Sequence, residues 1–477
     1  MTADEEISAS GTEATTETGA WATVKLALTG KELDFTTGPV GRAIVLLAIP
    51  MVLEMVMESV FALTDAFFVS RLGTDAVATV GLTEAMITIL FAVAVGTGMA
   101  TTAMVARRIG ERDVAGARVA AAQSILLGLV LTVVVALPGV LFAKELLQLM
   151  GGTPELVASG HGYTRVLFGG SATIMLIFLL NAVFRGAGDA AIAMRVLWIA
   201  NAVNIVLDPC LIFGLGPFPE LGVMGAAVAT TIGRGTGVAI QLWVLLRGGS
   251  RIRLELSDLA PQFGVILRLF RLSVGGILQF LIGTSSWVAM VWIIGGFGAG
   301  AVAGYTLAIR LIVFAILPSW GLANAAATLV GQNLGAGQPE RAEISVWRAG
   351  LYNMIFLLCV AVVFIAAAGP LIGIFSTESD VLKYGVSCLV WVSIGYPFYG
   401  WGMVMVQAFN GAGDTYTPTV INFFCYWLFQ LPLAYFLAHG TQLGATGVFI
   451  AITAAESLIA VVGILIFRRG RWKHRVV

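Results

Sequence analysis

The chain contains an internal repeat with a fixed offset. The segment Phe184-Arg-Gly-Ala-Gly-Asp recurs as Phe409-Asn-Gly-Ala-Gly-Asp, and 411 minus 186 gives an offset of 225 residues. Gly110 is matched at the same offset by Gly335. An offset that is kept over distant loops indicates that the two halves of the chain share one architecture. In a very apolar chain, a parallel duplication predicts two similar membrane lobes with a binding cavity between them.

The composition is that of an integral membrane protein. Hydrophobic residues make up 58% of the chain and charged residues 11%, whereas a soluble chain has about 25% charged residues. Each half has six apolar stretches that reach the roughly 20 residues needed to span a bilayer. They lie near 43–69, 76–106, 116–143, 161–183, 190–214 and 221–246, and near 264–295, 300–330, 343–368, 382–408, 415–438 and 443–467. We therefore expect an all-α fold of twelve transmembrane helices in two six-helix lobes.

These stretches divide the chain into five parts. The predicted parts are a disordered cytoplasmic tail (1–40), an N-lobe (41–248), a cytoplasmic connector (249–263), a C-lobe (264–467) and a basic cytoplasmic tail (468–477). The first tail has no basic start followed by a short apolar run, so we expect no cleavable signal peptide. Within this tail, the piece from Trp21 to Leu33 is expected to lie on the inner surface.

Lys and Arg are distributed unevenly between the loops. If the N-terminus is inside, 21 of the 27 fall in the inner segments and at the span ends beside them, and three fall at the outer side (Arg71, Lys144 and Lys383). The remaining three, Arg165, Arg234 and Arg310, lie deeper within the spans. Because Lys and Arg are retained on the cytoplasmic side, we expect both termini in the cytoplasm. The chain is then a multi-pass protein of the cell membrane.

The first span carries three carboxylates, Glu54, Glu58 and Asp65. At about 100° per residue they lie within roughly 40° of one another on one helix face. A charge in the hydrocarbon layer costs several kcal/mol, so such residues are functional candidates that should face a cavity. The alternative is a structural polar seam between helices, which is favoured for Glu54 and Glu58.

The fifth span carries a similar polar face, formed by Asn201, Asn204 and Asp208, and Pro209 follows directly. A proline inside a helix frees the carbonyl four residues earlier, here that of Ile205, and bends the helix. That carbonyl adds an oxygen acceptor beside the carboxylate. Alternatively, an Asp before a Pro near a helix end is only a boundary residue.

Depth in the membrane predicts that the two polar faces meet. Asp65 and Asp208 lie 22 and 18 residues into their spans, or about 33 and 27 Å at 1.5 Å per residue. The fourth span brings Tyr163 to a similar level, and the sixth brings Thr230 somewhat deeper. Two carboxylates with such neighbours can share a proton or bind an alkali cation, and the sequence does not choose between these.

The acidic pair occurs in the first half only. Adding 225 to Asp65 and Asp208 gives Met290 and Leu433, which are both apolar. Ion coupling is therefore assigned to the N-lobe. The secondary cavity candidates are Glu54, Glu58, Asn201 and Gln279.

Aromatic residues are frequent in the second half, where they either stack on a flat cationic guest or anchor the chain at the membrane interfaces. They are Trp287, Trp292, Trp391, Tyr396, Phe398, Tyr399 and Trp401. We favour the anchor role for most of them. Glu84 and Glu456 are expected to be packing or interface residues.

The chain contains no signature of an enzyme. The Gly-Ala-Gly-Asp loops are followed by no Gly-Lys-Ser/Thr, so they are expected to be turns rather than phosphate sites. The three His and four Cys form no metal-spaced group, and no nucleophile constellation is visible. We expect no cofactor.

Several motifs together resemble the multidrug and toxic compound extrusion (MATE) family, and the resemblance extends from Gly38 to Phe467. The motifs are Ala48-Ile-Pro-Met, Thr64-Asp-Ala-Phe-Phe-Val with Arg71-Leu-Gly, the paired Gly-Ala-Gly-Asp loops, Asn204-Ile-Val-Leu-Asp-Pro and Gly331-Gln-Asn-Leu-Gly. The acidic pair in the N-lobe is similar to that of the prokaryotic DinF-like branch, which has archaeal members.

This resemblance implies a V-shaped bundle that alternates between outward- and inward-open states and exports organic, often cationic, compounds in exchange for H⁺ or Na⁺. The first span would bend at Pro50. The residues matched to the coupling site are Asp65, Tyr163, Asn181, Asn204, Asp208 and Thr230, of which Asp65, Asn204 and Asp208 would ligate Na⁺. The implied partners are small organic substrates and the lipid bilayer, with no nucleic acid, and the expected state is a monomer.

Two alternatives remain. A lipid-linked oligosaccharide flippase of the same superfamily would use a basic cavity, for which only Arg165, Arg234 and Arg310 are available. A membrane-embedded enzyme would need a metal or acid motif at the membrane surface, and the sequence contains none.

Overall fold

The protein is all-helical in the part described by the computed structural model, residues 20–30 and 33–475. The first half contains α1 (Ala20–Thr29), α2 (Val40–Ser70), α3 (Thr74–Gly110), α4 (Val114–Leu141), α5 (Ala143–Leu149), α6 (Pro154–Gly169), α7 (Ser171–Ala187), α8 (Ala190–Phe213) and α9 (Val223–Arg247). The connector contains a short 3₁₀ turn, Leu256–Leu259.

The second half repeats this order. It contains α10 (Phe263–Gly295), α11 (Ala299–Gly335), α12 (Pro339–Ala366), α13 (Ala368–Gly373), α14 (Ser379–Ile394), α15 (Tyr396–Gly411), α16 (Tyr416–Asn422), a π-helical segment (Phe423–Gln430), α17 (Leu431–His439) and α18 (Ala445–Arg468). Among the described residues, eleven spans are long and apolar enough to cross a membrane, and α14 with α15, bent by 58°, forms a twelfth when counted as one span. The prediction of twelve spans in two sets of six is confirmed.

The offset of 225 changes near the end of the repeat. Gly225 packs against the Leu211 carbonyl, and Gly447 packs in the same way against Leu437, so at this contact 437 minus 211 gives 226. The π-helical segment explains the difference, because a π-bulge accommodates one extra residue in a helix. The structural counterpart of Asp208 is therefore the buried Ala434 and not Leu433.

The last helix of each half has a third offset. Gly222 and Gly444 precede α9 and α18 with φ angles of 58° and 56°, which only glycine adopts without strain. Subtracting 222 from 444 gives an offset of 222 for these helices. The loop before α18 is shorter than the loop before α9, which accounts for the change.

The two lobes touch through glycines of α3 and α11. A Cβ on Gly96 would collide with α10 at Gly276 and Ile277, and a Cβ on Gly321 would collide with α2 at Met51. These contacts lie in the carboxyl-terminal halves of α3 and α11, so a V-shaped cleft opens toward their amino-terminal ends. We call this contact region the vertex.

The vertex continues to the ends of α3 and α11. The Gly110 Cα faces the backbone carbonyl of Gln332, and the Gly335 Cα faces that of Arg107. The Gln332 side chain also donates to the Gly186 carbonyl at 2.9 Å. Backbones approach this closely only where no side chain intervenes, as is usual for small residues between membrane helices.

Part of the tail that was predicted to be disordered is helical. Helix α1 packs against α2, and Arg341 of α12 donates to the backbone carbonyls of Thr37 and Gly38, both at 2.8 Å. The expectation of disorder over residues 1–40 is therefore wrong for 20–29. Residues 1–19 and 31–32 lie outside the described part.

The carboxyl-terminal tail folds back onto the vertex. Trp472 is buried, Lys473 pairs with Glu343 at 2.6 Å, and the Arg475 carbonyl accepts from Arg107 at 2.9 Å. Because Arg107 belongs to α3, the tail joins the two lobes. Residues 476–477 lie outside the described part.

Candidate functional site

Helices α2, α6, α8 and α9 bring the predicted coupling residues together in the N-lobe. The Asn204 amide donates to Asp208 Oδ1 and to Thr230 Oγ1, at 3.3 Å in each case. Tyr163 packs in one buried cluster with residues that lie one helical turn beyond Asp65 and Asp208. The helices therefore meet at the level that their depth in the membrane predicts. We call these five residues the acidic site.

Three oxygens of the acidic site lack hydrogen-bond donors. Asp65 Oδ1, Asn204 Oδ1 and Asp208 Oδ2 are buried, and each has no partner among the described residues. A buried polar atom without a partner costs about 1–3 kcal/mol, so native structures satisfy such atoms. Two carboxylate oxygens and an amide oxygen are suited to a proton or to a hard cation such as Na⁺.

A second polar cluster lies closer to the vertex, around Glu54. Glu54 is 1% exposed, and its Oε1 accepts from Asn181 at 2.9 Å and from Arg185 at 3.4 Å. The Asn181 oxygen in turn accepts from Gln241 at 2.5 Å. Asn181 thus bonds to Glu54 and not to the acidic site, which corrects its expected grouping with Asp65 and Asp208.

Glu58 is neutralised inside the N-lobe. It pairs with Arg234 at 3.1 Å, and Asn201 donates to its Oε2 at 3.5 Å. The Arg234 guanidinium also lies over the rings of Phe61 and Phe91, 5.3 and 5.9 Å from their centres. These contacts between helices are those of the polar-seam alternative, and Glu54 and Glu58 also line a cavity between the lobes. In the sequence, Arg185 falls in an inner loop, so it is not predicted as the partner of Glu54. Arg234 lies within a span, and its charge at that depth is the one sequence feature that indicates a buried ion pair.

Pro50 lies next to the vertex. Helix α2 runs continuously from Val40 to Ser70 through this proline, and the following residue, Met51, is the one that Gly321 contacts. The missing N–H of Pro50 leaves the Leu46 carbonyl without its helical donor. The position is therefore a weak point of α2 where the lobes meet.

Two cavities adjoin the vertex. The first, about 280 Å³, is lined from both lobes and includes Glu54 and Glu58 together with Asn324 and Gln407. The second, about 410 Å³, lies mainly in the C-lobe and is lined by Gln279 among others. Gln279 also donates to Asn410 Oδ1 at 3.1 Å and to the Thr415 carbonyl at 3.0 Å, so it has a structural role as well.

The acidic site is not a conventional metal centre. Within the described part of the chain, no group of three or more His, Cys, Asp or Glu side chains is arranged to hold a metal ion. Two pseudo-symmetric helical lobes, a cleft and an intramembrane acidic site define an integral membrane transporter.

The particular family follows from comparison with known proteins. A sequence profile of the MatE family matches residues 50–210 and 276–436, one match in each half, and the chain belongs to this family. "Probable multidrug resistance protein NorM" of Thermotoga maritima is 27% identical over 440 residues, which cover 91% of this chain and 94% of that protein.

Solved structures agree with the fold. Crystal structures of MATE in the straight and in the bent conformation match with TM-scores of 0.86 and 0.84, at 29% and 28% sequence identity. The matches cover 92% and 94% of this chain and 98% and 97% of the other chains. The V-shaped, two-lobed fold expected from the sequence motifs is therefore confirmed.

Proposed function

We propose that the chain is an antiporter that exports organic, often cationic, compounds in exchange for H⁺ or Na⁺. The observation that carries this proposal is the set of three unpartnered oxygens on Asp65, Asn204 and Asp208. One cation bound between these three oxygens would satisfy all of them. The similarity to a relative named as a multidrug resistance protein supports export as the activity.

Coupling requires that ion and substrate favour different conformations. Ion binding at Asp65 and Asp208 neutralises charge on α2 and α8, and α2 lines the cavity between the lobes with Glu54 and Glu58. Pro50 then lets α2 bend, because the helix lacks one hydrogen bond at that position. The bend changes the shape of the cavity between the lobes, and the substrate leaves toward the outside.

The proposal also includes the orientation of the protein in the membrane. Both termini lie in the cytoplasm of a monomeric protein of the cell membrane, so the vertex closes the inner side and the cleft opens outward. The excess of Lys and Arg in the segments at the vertex end supports this orientation. External ions would then reach Asp65 through the cleft.

The basic cavity expected of a flippase is less well supported. Arg234 is paired with Glu58, so its charge is compensated inside the protein and is not offered to a pyrophosphate.

The proposal is tested by efflux of a cationic dye from proteoliposomes, driven separately by a pH gradient and by a sodium gradient. We expect one of the two gradients to drive efflux, and Asp65→Asn and Asp208→Asn to abolish it because each removes an ionisable oxygen. Glu145→Gln, on the exposed helix α5, is the matched control. Efflux by Asp65→Asn at the wild-type rate would refute the assignment.

A further inference from the structure

The cavity of the C-lobe contains an unpaired carboxylate. Glu456 of α18 lines the cavity of about 410 Å³ and is only 6% exposed. It is the one charged residue among the described residues that line this cavity. A buried carboxylate is normally paired with a cation, and within the described part of the chain no Lys, Arg or His forms an ion pair with Glu456.

The surroundings hold this carboxylate in one orientation. The Tyr426 hydroxyl, from the π-helical segment, donates to Glu456 Oε1 at 2.9 Å. Glu456 Oε2 makes no hydrogen bond with another described residue and remains available on the cavity side. Tyr399 lines the same cavity as Glu456. The carboxylate is therefore fixed by one oxygen and free at the other.

Comparison of the two lobes shows that the C-lobe lacks a counter-charge that the N-lobe has. With the offset of 222 for the last helices, the N-lobe counterpart of Glu456 is Arg234, whose charge is compensated by Glu58. With the offset of 225 for the first helices, the counterpart of Glu58 is Gly283. The N-lobe thus has an internal ion pair where the C-lobe has one carboxylate and a glycine.

Gly283 leaves open space. A Cβ built on Gly283 would meet no atom within 4 Å, and this glycine lines the same cavity as Glu456. The cavity therefore occupies the position at which the N-lobe has Glu58, the partner of Arg234. In the N-lobe, Arg234 and Glu58 balance each other's charge. In the C-lobe, a bound cation would balance the charge of Glu456.

The lining indicates the class of cation. A hard metal ion is usually bound by more than one carboxylate, whereas this cavity has a single carboxylate and is walled by Trp287, Trp320, Tyr399 and Tyr426. Aromatic faces bind organic cations through cation–π attraction. A volume of about 410 Å³ lies within the range for small-molecule pockets, roughly 300–1,000 Å³.

We propose that the C-lobe cavity is a binding site for a planar organic cation, with Glu456 as the residue that recognises its charge. The site deepens the proposed export function, on which its role in transport rests, and it separates substrate recognition in the C-lobe from ion binding in the N-lobe. Binding itself needs no ion gradient, so it can be measured independently of transport.

The test is equilibrium binding of ethidium to the purified full chain in lipid nanodiscs, without a gradient. Glu456→Gln keeps the Tyr426 hydrogen bond but removes the charge, and we expect the Kd for ethidium to rise about tenfold, which is ~1.4 kcal/mol. The uncharged ring system phenanthridine should bind both proteins equally. Glu145→Gln, at an exposed position, should leave the ethidium Kd unchanged.

A second variant introduces a positively charged side chain next to Glu456. Gly283→Lys places an ammonium group in the open space of the cavity, and we expect it to abolish ethidium binding by pairing with Glu456. Ethidium binding to Glu456→Gln within twofold of wild type would overturn the proposal, and so would an equal loss of phenanthridine binding. If ethidium binds as expected but neither gradient drives efflux, the site stands and the antiport proposal fails.

Discussion

At the scale of single residues, the N-lobe contains both free and compensated carboxylates. Glu54 and Glu58 are paired with arginines, while Asp65 and Asp208 form no ion pair with any described Lys, Arg or His. A paired carboxylate stabilises the fold only in its partner's presence, and an unpaired one is free to exchange a cation. The two groups should therefore respond differently to neutral substitution.

Glu58→Gln should destabilise the protein by leaving Arg234 without its counter-charge. Removing one partner of a buried pair costs about 3–5 kcal/mol. Glu58 is a quarter exposed, with a side-chain exposure of 25%, so we expect about 2 kcal/mol. The measurement is thermal unfolding in detergent.

The double variant Glu58→Gln with Arg234→Gln provides the control. Because the second change removes the orphaned charge, the double variant should lose less stability than the sum of the two single variants. Additive losses would mean that the contact at 3.1 Å contributes no coupling energy.

The sequence predicted the acidic side chains of the site better than their partners. A helical period of 3.6 residues places Glu54, Glu58 and Asp65 on one face of α2 from the sequence alone. Arg185 and Arg234 reach that face from α7 and α9, and a single sequence does not determine how those helices are rotated against α2. The grouping of Asn181 with Asp65 rests on the family resemblance alone, and the expectation for Glu456 is a packing or interface residue.

At the scale of the element, Pro50 is the one position where α2 lacks a helical hydrogen bond because of its sequence. Pro50→Ala restores the bond to the Leu46 carbonyl and makes bending costlier by about 1 kcal/mol. We expect coupled efflux to slow about fivefold, measured as the initial rate of dye efflux in proteoliposomes.

Pro138→Ala is the matched control, since Pro138 also lies inside a helix, α4, but away from the vertex. Its efflux rate should equal that of the wild type. An unchanged rate in Pro50→Ala would show that α2 does not bend at this residue during transport.

The helices themselves were largely predictable, because apolar stretches of span length leave little alternative in a bilayer. The π-helical segment was not predictable from the repeat. An extra residue inside a helix changes no composition and no loop length, so the constant offset paired Asp208 with Leu433 when the structural counterpart is Ala434. Helix α1 was missed because it follows an acidic, polar tail.

At the scale of the whole molecule, the vertex depends on backbone contacts between glycines. Gly110→Ala places a methyl group against the Gln332 carbonyl of the other lobe, and overpacking of this kind costs about 1–3 kcal/mol. We expect a lower melting temperature and a wider vertex. Gly81→Ala, also on α3, is the control, because its Cβ would meet no atom within 4 Å.

We expect the carboxyl-terminal tail to hold the two lobes together at the vertex. A chain that stops after Arg468 loses the buried Trp472, the Lys473–Glu343 pair and the acceptor for Arg107. We expect the ends of α3 and α11 to separate. Pulsed EPR between spin labels at Glu111 and Ala336, in a background without the four native cysteines, measures this distance.

A chain that stops after Arg475 keeps all three interactions and should give the wild-type distance distribution. If the longer truncation also gives that distribution, the tail does not join the lobes in solution.

The paired contacts at the vertex have a consequence for the origin of the chain. Gly110 faces Gln332 while Gly335 faces Arg107, and 335 minus 110 equals 332 minus 107. Residue i therefore meets residue j, and the copy of i meets the copy of j, which is the rule for an isologous dimer interface. A chain of half the length could close this interface with a second copy of itself. The protein has the geometry of a fused homodimer, and in a single fused chain matched positions can differ, as Arg234 and Glu456 do.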